Sequence, residues 1–72
     1  MIRLGNHNDE VLQWQAFLSQ LGYDVSVDGV YGQGTYNATV HYQQSYGLTA
    51  DGVVGANTYA WAVSHGYEGG YD

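Results

Sequence analysis

The feature that most constrains this chain is a segment it uses twice. Asp28-Gly29-Val30-Tyr31-Gly32-Gln33-Gly34-Thr35-Tyr36 returns 23 positions on as Asp51-Gly52-Val53-Val54-Gly55-Ala56-Asn57-Thr58-Tyr59, with six of the nine positions identical. Two copies are too few for a solenoid, which needs three or more stacked units. The segment is therefore one local element used twice, a turn leading into a helix. Asp-Gly is a turn dipeptide, since Asp bonds its own nearby backbone and Gly tolerates a positive φ. Gly32 and Gly55 then stand where a helix N-cap belongs, with Thr35 and Thr58 in the first turn.

Three helices follow from the spacing. In the first, Asn8 is the cap candidate, Asp9 and Glu10 bring negative charge to the first turn, and Gly22 ends it. Val11, Trp14, Leu18 and Leu21 make its apolar stripe, and Gln13 and Gln20 lie away from it. The second runs unbroken from Thr35 until Gly47, with Ala38, Thr39, Tyr42 and Tyr46 on one face. The third covers Thr58 to Ser64, with Ala62 inward and Gly66 as its stop. Val25-Ser26-Val27 could be briefly extended, but little or no sheet is expected. The expected architecture is all-α: a small three-helix bundle over residues 1–66, carrying two Asp-Gly-x-x-Gly-x-x-Thr loop–helix repeats. Residues 67–72 are expected to be a flexible tail.

Seventy-two residues without cysteine allow one small domain held by packing alone. Seven acids face a single base, Arg3, for a net charge of −6, which excludes nucleic acid because phosphate neutralisation needs several Lys or Arg. Anionic lipid is disfavoured for the same reason. No apolar run is long enough to span a membrane, and Met1-Ile2-Arg3-Leu4-Gly5 lacks the pattern of a secretory signal. Eight Tyr and two Trp suit a surface that offers flat rings with hydrogen-bonding tips.

The run from Val11 to Tyr23, VLQWQAFLSQLGY, resembles the opening helix of peptidoglycan-binding domains, written V-x-x-L-Q-x-x-L-x-x-L-G-Y. Val27-Asp28-Gly29-Val30-Tyr31-Gly32-Gln33-Gly34-Thr35, Tyr42-Gln43, Gly47-Leu48 and Asp51 to Tyr59 continue the family's order and spacing. The resemblance spans roughly Leu4 to Val63. Trp14 stands for the family's Leu, Tyr42 for its Phe, Tyr59 for its Trp, Thr39 for its usual Val and Ala62 for its usual Leu. The last exchange implies a looser third helix unless Trp61 or Val63 compensates.

The resemblance implies a non-catalytic, monomeric murein-binding module, extracellular at the bacterial cell wall. Such a module targets an attached or associated hydrolase, and binds glycan or stem peptide in a shallow groove beside the loops and second helix. Contact is expected from exposed aromatics and amides at the loops: Tyr31, Gln33, Tyr36, Gln43, Asn57 and Tyr59. Tyr31 is also a candidate for the core, and Tyr42 is placed inside. Single-domain affinity is expected in the micromolar-to-millimolar range, roughly −4 to −8 kcal/mol. The alternatives are a protein–protein interaction or pro-domain, which the absence of a cysteine switch disfavours, and a structural part of a phage or spore.

Asp28, Gly29, Gly32 and Thr35, with Asp51, Gly52, Gly55 and Thr58, are assigned to loop structure. The same Asp in both copies argues for a shared turn requirement over a ligand contact. A glycosidase-type carboxylate pair would need a deep cleft that so small a domain has little room for. Asp24-x-Ser26-x-Asp28-Gly29 begins like an EF-hand, but Thr35 stands where a bidentate Glu is required. His7, His41 and His65 lack ligand spacing, no Ser sits in a nucleophile elbow, and no cofactor or metal is expected.

Overall fold

The computed structural model describes residues 1–69. Three helices are joined by the two repeat loops: α1 (Asp9–Gln20), α2 (Gln33–Ser45) and α3 (Ala56–Ser64). Asn8 caps α1, its side chain accepting the Val11 N–H at 2.9 Å. Gly32 and Gly55 cap α2 and α3 through the backbone alone. Each helix then stops in the same way, on a glycine of positive φ: Gly22, Gly47 or Gly66. The residue after that glycine donates its N–H back to a carbonyl in the last turn: Tyr23 to Leu18, Leu48 to Gln43, and Tyr67 to Ala62. This ending satisfies the carbonyls that a helix C-terminus leaves unpaired, and it turns an apolar side chain inward.

Among the described residues there is no strand. Two antiparallel bridges, Ile2 to Val54 and His7 to Val30, brace each repeat loop against the N-terminal segment. Tyr31 N–H donates to Asn6 and Gly5 N–H to Tyr31, extending the contact at the first loop. Ile2, a residue the helix pattern passes over, is thereby fully buried.

The core is built around the Trp14 ring. Tyr42, Tyr59 and Tyr67 meet it edge-on at centroid separations of 5.6, 5.8 and 5.8 Å, and Phe17 lies tilted at 5.4 Å. Edge-to-face aromatic packing at these distances adds to the stabilisation from area burial. The Trp14 indole N–H donates to the Thr39 hydroxyl at 3.0 Å, in the interior. Trp14 and Thr39 thus act as a pair: a buried indole N–H needs an acceptor, which a Val at position 39 could not supply.

Three expectations are corrected. Leu21 and Tyr46 do not complete the inner faces of α1 and α2; both are exposed, because each is the residue at which its helix unwinds. The packed domain does not end at 66: Tyr67 is buried against Trp14, Phe17 and Tyr59. Its N–H bonds the Ala62 carbonyl, while Trp61 and Val63, the expected compensators, stay exposed. Residues 70–72 of the expected tail lie outside the described residues.

Candidate functional site

The repeat loops are organised by two buried glutamines that precede them. Gln15, on α1, accepts the N–H groups of Asp28 and Gly29 at 3.0 and 2.7 Å through Oε1. Its Nε2 donates to the Val30 carbonyl, the Thr35 hydroxyl and the Asp28 carboxylate. Gln43, on α2, repeats the arrangement. Its Oε1 accepts Gly52 N–H, and its Nε2 donates to Val53 O, Thr58 Oγ1 and, at 3.4 Å, Asp51 Oδ1. A primary amide suits this role because it offers donors and acceptors at one tip. Each glutamine therefore latches its loop to the helix before it and, through the Thr, to the helix after it.

The aspartates complete the turns. Asp28 Oδ1 accepts Val30 N–H and Asp51 Oδ1 accepts Val53 N–H, both at 3.0 Å and both two residues ahead. The Val30 N–H and then the Gln15 amide hold the Asp28 carboxyl below its ordinary value of 3.8. At Glu10, burial alone would raise the carboxyl. Hydrogen bonds from the Met1 ammonium and the Tyr59 hydroxyl outweigh it and leave the group below its ordinary 4.5. Carboxyls lowered in the folded state contribute stability above their unfolded pKa values and lose it as pH falls through the folded ones. The melting temperature is therefore expected to be lower at about pH 3 than at about pH 6, and Asp28→Asn is expected to flatten that dependence. Calorimetry across this range checks it; a profile unchanged by the substitution contradicts the Asp28 assignment.

The second loop is the more crowded. Gly52, at φ +73°, lies under the Tyr36 ring, where any Cβ would overlap it, and its carbonyl accepts the Tyr31 hydroxyl. Gly29, at φ +79°, has more room. Gly29→Ala is expected to cost about 1–2 kcal/mol for its left-handed backbone, and Gly52→Ala about 1 kcal/mol more for displacing the ring. Urea denaturation of the two variants measures the difference.

The residues expected to touch ligand do not share one surface. Tyr31, Gln43 and Tyr59 are buried, which corrects their placement as exposed contacts. The Tyr31 hydroxyl is committed to Gly52, the Gln43 amide to the second loop, and the Tyr59 hydroxyl to Glu10 at 2.7 Å. Burial first, and then its carboxylate partner, push the Tyr59 phenol far up. Tyr36 is half-buried over Gly52. Gln33 is exposed at the start of α2 and donates to Asn37. Asn57 is exposed and lines an open cleft of about 510 Å³ beside the second loop, with Thr49 and Asp51.

Another region was not singled out by the sequence. Leu21, Tyr23, His41, Tyr42, Ser45 and Tyr46 line an open cleft of about 360 Å³ between the end of α1 and α2. The Tyr23 hydroxyl and His41 Nδ1 share a 2.8 Å hydrogen bond. Beside the cleft the rings of Tyr46, Trp61 and His65 lean on one another at 4.9–5.6 Å. The signal that could have exposed it is Trp61, a large ring that falls outside the inward positions Thr58, Tyr59 and Ala62 of α3.

Order, spacing and the latched turns together define the class: the chain belongs to the peptidoglycan binding domain family, whose model matches residues 7–61. Solved structures resemble it closely. A peptidoglycan-binding protein from Clostridioides difficile, crystallised with glutamine hydroxamate, superposes with a TM-score of 0.83 at 46% identity, over 85% of this chain and 39% of that one. The SleB N-terminal domain gives 0.85 at 38% identity over 89% of both chains. The endolysin of Burkholderia phage AP3 gives 0.84 at 31% identity, over 89% of this chain and 25% of that one. The chain thus spans well under half of two of these proteins. Among the described residues no helix is long and apolar enough to cross a membrane.

Proposed function

We propose that this chain is a non-catalytic, monomeric module that holds an attached or associated cell-wall hydrolase on murein outside the cell. One observation carries the non-catalytic reading: the repeated aspartates, the best candidates for acid–base work, are spent on their own turns. Asp28 and Asp51 each accept a backbone N–H and a glutamine amide. A general acid must instead be free to meet a substrate proton acceptor at hydrogen-bond distance. The partial coverage of the endolysin and of the C. difficile protein supports a module that works beside other domains. Co-sedimentation with purified sacculi tests the reading. The chain is expected to pellet with sacculi at low and moderate salt and to release no muropeptides. Failure to pellet at either salt, or steady muropeptide release by the chain alone, overturns it.

A further inference from the structure

Among the described residues, one buried side-chain polar atom has no hydrogen-bond partner. The Tyr42 hydroxyl is buried without a hydrogen bond, although Tyr42 itself lines the 360 Å³ cleft. A buried hydroxyl left unpaired costs stability that phenylalanine would avoid, and the packing of the Trp14 core needs only the ring. Tyr46 packs beside Tyr42, the two rings 4.9 Å apart, and the residue is 41% exposed.

The lining of this cleft selects among ligand classes. No Asp, Glu, Lys or Arg contributes to it, so it offers no full charge to the carboxylates or ammonium groups of a stem peptide. It carries neutral polar groups only: the Tyr23 hydroxyl bonded to the His41 ring, the Ser45 hydroxyl bonded to the His41 carbonyl, and the unpaired Tyr42 hydroxyl, next to the ring surface of Tyr46. Trp61 and His65 extend that ring surface outward. Neutral hydrogen-bonding groups next to aromatic faces match a sugar ring, whose C–H face packs on the aromatics while its hydroxyls and acetamido group pair with the polar groups. The volume falls within the roughly 300–1,000 Å³ usual for small-ligand sites.

We propose that this cleft is a saccharide subsite: it takes one N-acetylated sugar ring of a neutral glycan, stacks it on Tyr46 and Trp61, and gives it the unused hydrogen bond of Tyr42. The site rests on the murein-binding reading and assigns that binding to glycan rather than peptide.

The test uses the full chain with two probes, purified sacculi and a tetramer of β-1,4-linked N-acetylglucosamine. Chemical-shift perturbation by the tetramer is expected to centre on Tyr23, His41, Tyr46 and Trp61. Trp61→Ala is expected to weaken both probes about tenfold with the melting temperature retained. Tyr42→Phe is expected to weaken both several-fold while holding or raising the melting temperature, a combination that a purely structural tyrosine would not produce. If the wild-type chain pellets with sacculi but both variants bind like it, or the perturbations map elsewhere, the subsite is wrong and the murein reading survives. If the wild-type chain binds neither probe, the murein reading fails and the subsite falls with it.

Discussion

Replacing Gln15 with leucine is expected to cost the domain about 4 kcal/mol, the sum of several buried polar groups left unpaired at about 1–3 kcal/mol each, less what the new apolar side chain recovers. The groups are specific: the N–H of Asp28 and of Gly29, the Val30 carbonyl and the Thr35 hydroxyl all face the Gln15 amide. A chain of this length is stable by roughly 4–11 kcal/mol, so the variant loses a large share of its folding free energy. Gln43→Leu is expected to cost less, about 3 kcal/mol, because its bonds to Asp51 and Thr58 are longer, at 3.4 and 3.2 Å. Urea denaturation followed by tryptophan fluorescence measures both. A Gln15 variant within about 1 kcal/mol of wild type would mean that water or a shifted loop replaces the latch.

Trp14 carries the second large effect. Truncation to alanine is expected to cost about 4–5 kcal/mol, near the top of the range for buried aromatic residues, since the ring joins Phe17, Tyr42, Tyr59 and Tyr67. The finer experiment is a cycle with its hydrogen-bond partner. Thr39→Val alone strands the indole N–H and should cost about 1–3 kcal/mol. In the Trp14→Leu background the same change should cost little, giving a coupling of about 1–2 kcal/mol. Additive effects would show that the 3.0 Å bond from Trp14 to Thr39 contributes nothing net.

What the sequence revealed and what it hid divide along physical lines. The Asn8 cap, the three glycine stops and the Asp-Gly turns were legible because each is decided by a few neighbouring residues. Asp28 and Asp51 each accept the N–H two residues ahead, from Val30 and Val53. Gln15 was not legible, since an amide at an inward helix position looks like any solvent-facing one until its partners are known. A clue existed: Trp14-Gln15 and Tyr42-Gln43 both place an aromatic–glutamine pair on the helix before an Asp-Gly loop. Tyrosine misled in the other direction. Tyr31 and Tyr59 bury their rings because Gly52 and Glu10 satisfy their hydroxyls, and composition alone cannot tell such a residue from an exposed one. Tyr67 was hidden by Gly66, although Gly22-Tyr23 and Gly47-Leu48 had already set the rule that an inward residue follows each glycine stop.

The two glutamine latches also shape how the chain assembles. Gln15 meets Asp28 only 13 residues on, and Gln43 meets Asp51 after 8, so each closure pays the small entropy of a short loop. Topologies dominated by such near-neighbour closures fold fast. The bridge from Ile2 to Val54 joins the N-terminal segment to the distant second loop, and on this ordering it docks late, sealing a bundle whose corners have already set.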